Sequence, residues 1–129
     1  MSAPQMKHID HLVMTVENVD VTVNWYLRVL GIKSAAFGEG RKALLLDKQK
    51  INLHQKGQEF EPKALAATPG SLDLCLISAT PLTQLMEHLK KERVAIEKGP
   101  IKRNGATGLI TSIYIRDPDK NLLELANPG

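Results

Sequence analysis

The sequence has a single cysteine, Cys75, so no disulfide can close within the chain. That usage agrees with a reducing compartment, and a cytoplasmic location is the expectation. Aromatic residues are only 4% of the 129 residues, too few to build a platform on which nucleic-acid bases could stack. No apolar run reaches the length of a membrane span. Residues Met1 to Lys7 lack the apolar region of a secretory signal. Charge of one sign is also scarce: the formal net charge is +3, with Lys and Arg dispersed along the chain. No basic stripe for nucleic acid is present, although a mild attraction for small anions is compatible with that balance. What remains is one ordinary domain, 43% hydrophobic, whose partner is expected to be a small molecule.

The chain is organised around Asp117-Pro118-Asp119-Lys120-Asn121-Leu122-Leu123-Glu124-Leu125, a turn signal followed by a short apolar strand. Glu124 interrupts that strand. A carboxylate among leucines must face water, pair with a cation or bind a metal, because a buried unpaired charge is costly. The first half holds a weaker echo, Asp47-Lys48-Gln49-Lys50-Ile51-Asn52-Leu53-His54. An offset of 70 residues lays Asp47 on Asp117 and His54 on Glu124. Nearer the start, an offset of 62 lays His11-Leu12-Val13-Met14-Thr15-Val16 on Asp73-Leu74-Cys75-Leu76-Ile77-Ser78, so that His11 meets Asp73. A helical pattern follows each of these strands. Val23, Tyr26, Leu27 and Leu30 share the spacing of Leu82, Leu85, Met86 and Leu89, one apolar face each.

Read in order, 8–16 is the first strand, with His11, Val13 and Thr15 on one face and Asp10, Leu12 and Met14 on the other. Asn18 or Asp20 caps the helix that follows, Gly31 ends it, and Trp25 and Tyr26 within it serve packing. Strands follow at 32–37, 42–46 and 50–55, the last with Asn52 and His54 on one face. A long connection, 55–71, joins the halves. Long loops inside compact domains are often functional. The second half begins with a strand over 71–78 carrying Asp73, Cys75 and Ile77 on one face. Thr80 caps a helix that starts at Pro81 and runs to about Arg93. A strand over 94–98 stops at Gly99-Pro100, residues 101–109 form a polar mobile loop, and strands over 110–116 and 121–126 complete the half. Each half is therefore βαβββ, and the fold class is α+β. The module boundaries are 8–55 and 71–127 of a single domain.

His11, His54, Asp73 and Glu124 fall at corresponding places on the strands of the two halves. Imidazole and carboxylate donors together suit divalent Zn, Ni, Mn, Co or Fe. Singly, each has an ordinary structural explanation, and their coincidence on the repeat argues for a site. Cys75 is read as a small hydrophobe, and neither His8 nor His88 receives a role.

At these residues the sequence resembles the vicinal-oxygen-chelate superfamily, the glyoxalase, fosfomycin-resistance, bleomycin-resistance and extradiol-dioxygenase group. The matching stretches are Ile9 to Val16, Trp25-Tyr26 through Leu30-Gly31, and Ser112 to Asp119 through Glu124, so the likeness covers nearly the whole chain. It is closest to glyoxalase-domain-containing proteins with segments like Lys50-Ile51-Asn52-Leu53-His54 and Glu59-Phe60-Glu61-Pro62-Lys63-Ala64. The resemblance implies curved sheets forming a cup and metal ligands on the first and last strands of each module. It also implies a homodimer, with the cup within one chain or shared across two. Tyr114 falls where fosfomycin-modifying relatives carry a substrate-contacting tyrosine, and Arg116 on the same face could hold an anionic group. The expectation is a metal-dependent glyoxalase-like lyase or isomerase acting on a hemithioacetal or α-hydroxycarbonyl conjugate, with Glu124 as metal ligand and proton shuttle. The alternatives are a metal-dependent dioxygenase or thiol transferase, and a non-catalytic drug-binding protein.

Overall fold

A strand, a crossing helix and three returning strands make up each half of the chain in the computed structural model, which describes residues 2–129. The first half comprises β1 (His11–Val16), α1 (Val19–Leu30), β2 (Ser34–Phe37), β3 (Arg41–Leu46) and β4 (Gln49–Gln55). The second comprises β5 (Asp73–Ile77), α2 (Leu82–Lys91), β6 (Lys98–Gly105), β7 (Gly108–Arg116) and β8 (Leu122–Pro128). They build two four-stranded sheets, A in the order β1-β4-β3-β2 and B in the order β5-β8-β7-β6. In each sheet the first strand of the half lies parallel to the last, and the other pairs are antiparallel. A parallel neighbour cannot be reached by a tight turn, so the helix sits inside the long connection. This is the paired βαβββ architecture expected from the sequence.

Period-two alternation decides what each sheet shows to the core. Met14 and Val16 of β1, Ile51 and Leu53 of β4, Ile113 and Ile115 of β7, and Leu123 and Leu125 of β8 are buried in one hydrophobic cluster with residues of both helices. The intervening residues, including His11, Thr15, Asn52, His54, Ser112 and Glu124, therefore belong to the opposite faces. Of the two helices, α2 buries the expected Leu82, Leu85 and Leu89, whereas α1 departs from the sequence reading. In α1 the buried residues are Thr22, Tyr26 and Val29, while Leu27 is 51% exposed. The stripe is rotated because the Tyr26 hydroxyl must reach Asp117, to which it donates at 2.6 Å. Burial, with the Asp117 charge adding to it, pushes the Tyr26 hydroxyl pKa far above its ordinary value. Asn18 caps α1 by accepting from the Val21 amide at 3.0 Å, and Gly31 closes it with a left-handed φ of 67°.

Two expectations in the second half are corrected. Thr80 does not cap α2: Pro81 is the N-cap residue and offers no side-chain bond. The Leu82 amide is satisfied instead by Asn127 Oδ1 of β8, at 2.7 Å. Nor does the sixth strand stop at Gly99-Pro100. β6 runs from Lys98 to Gly105, with an irregular register between Lys98 and Ile101, and turns directly into β7 with Gly105 opposite Gly108. An edge strand tolerates a proline, whose missing N–H has no ladder partner to lose. The 101–109 segment is thus a hairpin, not a mobile loop.

The Asp117 turn ties the halves together. Asp117 is buried and accepts from Tyr26 as above, and from the Asp119 amide at 2.9 Å. It also accepts from the backbone and side-chain N–H groups of Asn121 at 3.0 and 2.8 Å. Asn121 receives the Leu72 amide at 2.9 Å and contacts Met14 Sδ. Asp119 accepts from the Glu17 amide just beyond β1.

Candidate functional site

Strand register fixes the level of every candidate. In sheet A, His11 lies opposite Lys50, Val13 opposite Asn52 and Thr15 opposite His54. In sheet B, Asp73 lies opposite Leu122 and Cys75 opposite Glu124. The offset that superposes these registers sets Lys50 on Leu122 and Asn52 on Glu124. The counterpart of Glu124 in the first half is therefore Asn52, and His54 lies one alternation beyond it. The signal was present in the sequence, since Ile51-Asn52-Leu53 and Leu123-Glu124-Leu125 both place one polar residue between two core residues. His11 and His54 stand four residues apart along neighbouring strands, about 13 Å at the usual rise. They occupy opposite ends of one face. Among the described residues, no three His, Cys, Asp or Glu side chains converge as a shared cation would require.

Sheet A carries the larger recess. A cavity of about 560 Å³ opens between His11, Val13, Thr15 and His54 on the strands and the 62–72 segment, whose wall is largely Pro62, alanines and Leu72. At one end, His11 is accessible and its Nδ1 lies 2.9 Å from the Asp10 carboxylate. With Nδ1–H donating there, Nε2 presents its lone pair outward, the arrangement that orients metal-binding imidazoles. The Asp10 carboxyl is held below its ordinary range by that hydrogen bond. At the other end His54 is only 3% exposed, and neither ring nitrogen has a partner. The Phe60 ring meets it edge-on, with centroids 5.7 Å apart. Burial lowers the His54 pKa, and the Arg41 charge lowers it further, so the ring is held neutral. Arg41 lies over Phe60 and Phe37, 4.5 and 5.0 Å from their centroids. The Lys50 ammonium lies 4.0 Å from the Phe37 centroid. Arg41, Asn52 and Phe60 were not recognised as site residues in the sequence. Arg41 stood in a turn signal, and Phe60 in a connection with no periodicity.

On sheet B the polar groups are paired. Ser112 donates to Glu124 Oε2 at 2.6 Å. No cationic partner of Glu124 occurs among the described residues. Cys75 lies beside Glu124, and its thiol is pushed up to about 11, by burial first and then by the Glu124 charge. It is a thiol, not a thiolate, at neutral pH. Asp73 is exposed at the rim. Tyr114 accepts from Arg103 Nε at 2.8 Å. Arg116 grips Glu97 through two parallel bonds of 3.0 and 3.1 Å, so a substrate anion at Arg116 would have to displace that carboxylate. Tyr114 and Arg116 share a face but are engaged with different partners.

Imidazole and carboxylate are donor types that suit a divalent cation, and within one copy of the chain His11, Asp73 and Glu124 do not come together around one. His11 is oriented by a carboxylate, and Glu124 is oriented by a hydroxyl with one oxygen left free of that bond. His54 stands opposite Thr15, one alternation beyond the level of Asn52.

Comparison with known proteins agrees with this architecture. The chain is 51% identical over 118 residues to virulence protein STM3117 of Salmonella typhimurium, covering 92% of this chain and 82% of that protein. It is 50% identical over 122 residues to the glyoxalase domain-containing protein RDO1 of Mycosarcoma maydis, covering 95% of this chain and 69% of that one. A solved structure from the mobile metagenome of V. Pseudocholerae superposes with a TM-score of 0.96 at 48% identity, over 99% of both chains. The family model of the Glyoxalase/Bleomycin resistance protein/Dioxygenase superfamily matches residues 8–125, and the chain belongs to that superfamily.

Proposed function

We propose that the protein is a metal-dependent, glyoxalase-type lyase that isomerises a hemithioacetal or related α-hydroxycarbonyl conjugate. The observation that carries this reading is Glu124, a half-buried carboxylate on the outward face of β8 whose one side-chain hydroxyl partner is Ser112. Membership of the superfamily and the glyoxalase domain of the related RDO1 support it. When bound, a divalent cation supplies Lewis acidity toward two adjacent substrate oxygens.

The remaining chemistry belongs to the chain. Asp10 holds His11 so that Nε2 faces the site. Ser112 fixes one Glu124 oxygen and leaves the other to take a proton from the carbon bearing the sulfur and hydroxyl. The same oxygen returns that proton to the neighbouring carbonyl carbon, and the product is a 2-hydroxy thioester. One C–H and one O–H bond break and one of each forms, the hydroxyl proton of the sulfur-bearing carbon passing to the former carbonyl oxygen, with no net redox change. The apolar 62–72 wall excludes water from the substrate body. Because His11 and Glu124 lie on different sheets and do not converge, the site requires a homodimer in which sheet A of one copy faces sheet B of another. Exposed Val13 and Leu45 on sheet A, and Ile77 on sheet B, give both faces apolar surface to bury.

The test is to strip the protein with chelator, reload it with Ni, Co, Mn, Zn or Fe, and follow thioester formation from a 2-oxoaldehyde–thiol hemithioacetal. Turnover in the reloaded protein and its loss in a metal-loaded Glu124→Gln variant are expected. Oxygen consumption that depends on Fe(II) would replace this reading with a dioxygenase. Failure of both proteins to bind metal would replace it with a non-catalytic binding protein.

A further inference from the structure

The buried side-chain atoms without a hydrogen-bond partner, among the described residues, are Arg41 Nε, Asn52 Oδ1 and both ring nitrogens of His54. All three residues lie on the outward face of sheet A, on β3 and β4, where His54 and Asn52 are 3% and 6% exposed. Buried polar groups are ordinarily satisfied, and each unmet one is costly. Four such atoms on one face of one sheet are the signature of a site whose hydrogen bonds come from a ligand.

The inventory says which ligand. Arg41 Nε–H is a donor and Asn52 Oδ1 an acceptor. A neutral imidazole adds one of each. A bare carboxylate would satisfy the donors but set its lone pairs against Asn52 Oδ1. A cation would meet Arg41, which has no carboxylate within ion-pair distance among the described residues. A carboxylate supplies acceptors for Arg41 Nε–H and the imidazole N–H, and an uncharged O–H on the next carbon supplies the donor that Asn52 Oδ1 lacks, so a ligand carrying both meets three of the four atoms. We propose that Arg41, Asn52 and His54 form a subsite for a 2-hydroxycarboxylate end group, with the apolar body of the ligand lying along the Ala64–Leu72 wall of the adjoining cavity.

The walls agree with that assignment. Arg41 lies over the Phe37 and Phe60 rings, which fix the guanidinium without neutralising it. Phe60 stands over His54 yet is 41% exposed, so little packing resists its displacement when a ligand enters. The proposal deepens the reading of the sheet A cavity as the substrate cavity, but it needs neither a bound metal nor turnover.

The experiment is a calorimetric titration of chelator-treated protein with three probes: 2-hydroxyhexanoate, hexanoate, which lacks the hydroxyl, and 1,2-hexanediol, which lacks the carboxylate. Saturable binding of 2-hydroxyhexanoate is expected, with each of the other two at least about tenfold weaker. Asn52→Leu should abolish the preference over hexanoate, and Arg41→Gln the preference over the diol. Equal affinity for the three probes, or no saturation by any, would overturn the proposal and leave the unmet groups to water. The wild-type probe series decides the matter even if a variant fails to fold. Because metal is absent throughout, loss of the lyase reading would leave this result standing, and the reverse also holds.

Discussion

The outward faces of the two sheets descend from the same βαβββ plan and handle polar residues in opposite ways. Sheet A buries Asn52 and His54 beneath the 56–71 connection with their hydrogen bonds unmet. Sheet B pairs its polar groups internally: Glu124 with Ser112, Tyr114 with Arg103, and Arg116 with Glu97. The covering segment makes the difference. After β4 the chain wraps over its own sheet before reaching β5, whereas β8 has no comparable cover. The lesson is that one fold can separate recognition from chemistry. A covered face can hold its polar groups ready for a ligand, while an open face must satisfy its own until a second surface closes on it.

The largest effect that would sharpen this contrast is on catalysis. Glu124→Gln keeps the shape and the Ser112 contact but cannot accept a proton, so turnover of the metal-loaded protein should fall by about 10²–10⁴-fold. Single-turnover kinetics, with metal content measured in parallel, checks this. Next come opposite effects on stability. Ser112→Ala strips Glu124 of its hydroxyl partner on sheet B and should cost about 1 kcal/mol in urea unfolding. Asn52→Leu removes an unmet acceptor on sheet A and should be neutral or stabilising by a similar amount, about 1 kcal/mol. Equal destabilisation by both would erase the comparison.

A smaller effect is expected with pH. Burial lowers the His54 pKa below that of the unfolded chain, so below the unfolded value the unfolded state binds the extra proton. The stability that the neutral ring retains at neutral pH is lost as pH falls through and below about 6.5. Thermal melts from pH 7.5 to 5 should therefore steepen in the wild type relative to His54→Phe. The smallest effect concerns Cys75. With its thiol at about 11, iodoacetamide should react slowly at pH 8. Glu124→Gln removes a neighbouring charge and should accelerate the reaction by a few-fold, which mass spectrometry would follow.

Much of the fold was legible because its signals are local. Alternation in Leu12 to Val16 and Ile51 to Leu53, the Asn18 cap, Gly31 and the Asp117 turn each act within a few residues. The misread features depend on distant partners. The face of α1 is set by a bond from Tyr26 to a residue 91 positions away, and the start of α2 by one from Asn127, 45 away. β6 continues past Pro100 because β7 supplies its ladder, and no local pattern announces that partner. The candidate site was legible in part. Both faces bearing His11 and Glu124 follow from alternation, but their levels follow from register. Without register, His54 was taken for the counterpart of Glu124 in place of Asn52. Arg41 and Phe60 became meaningful only once the 56–71 connection was seen folding back over β4.

The placement of β8 between β5 and β7 bears on how the chain is made. β8 supplies both ladders at the centre of its sheet, and its Asn127 completes the first turn of α2. On a ribosome, sheet A has all of its strands once Gln55 has emerged. Sheet B then waits as a disconnected strand and a hairpin until the segment through Pro128 is released. During that interval the apolar flank of β5 has no neighbour within its own half, and a molecular chaperone would find its longest opportunity there.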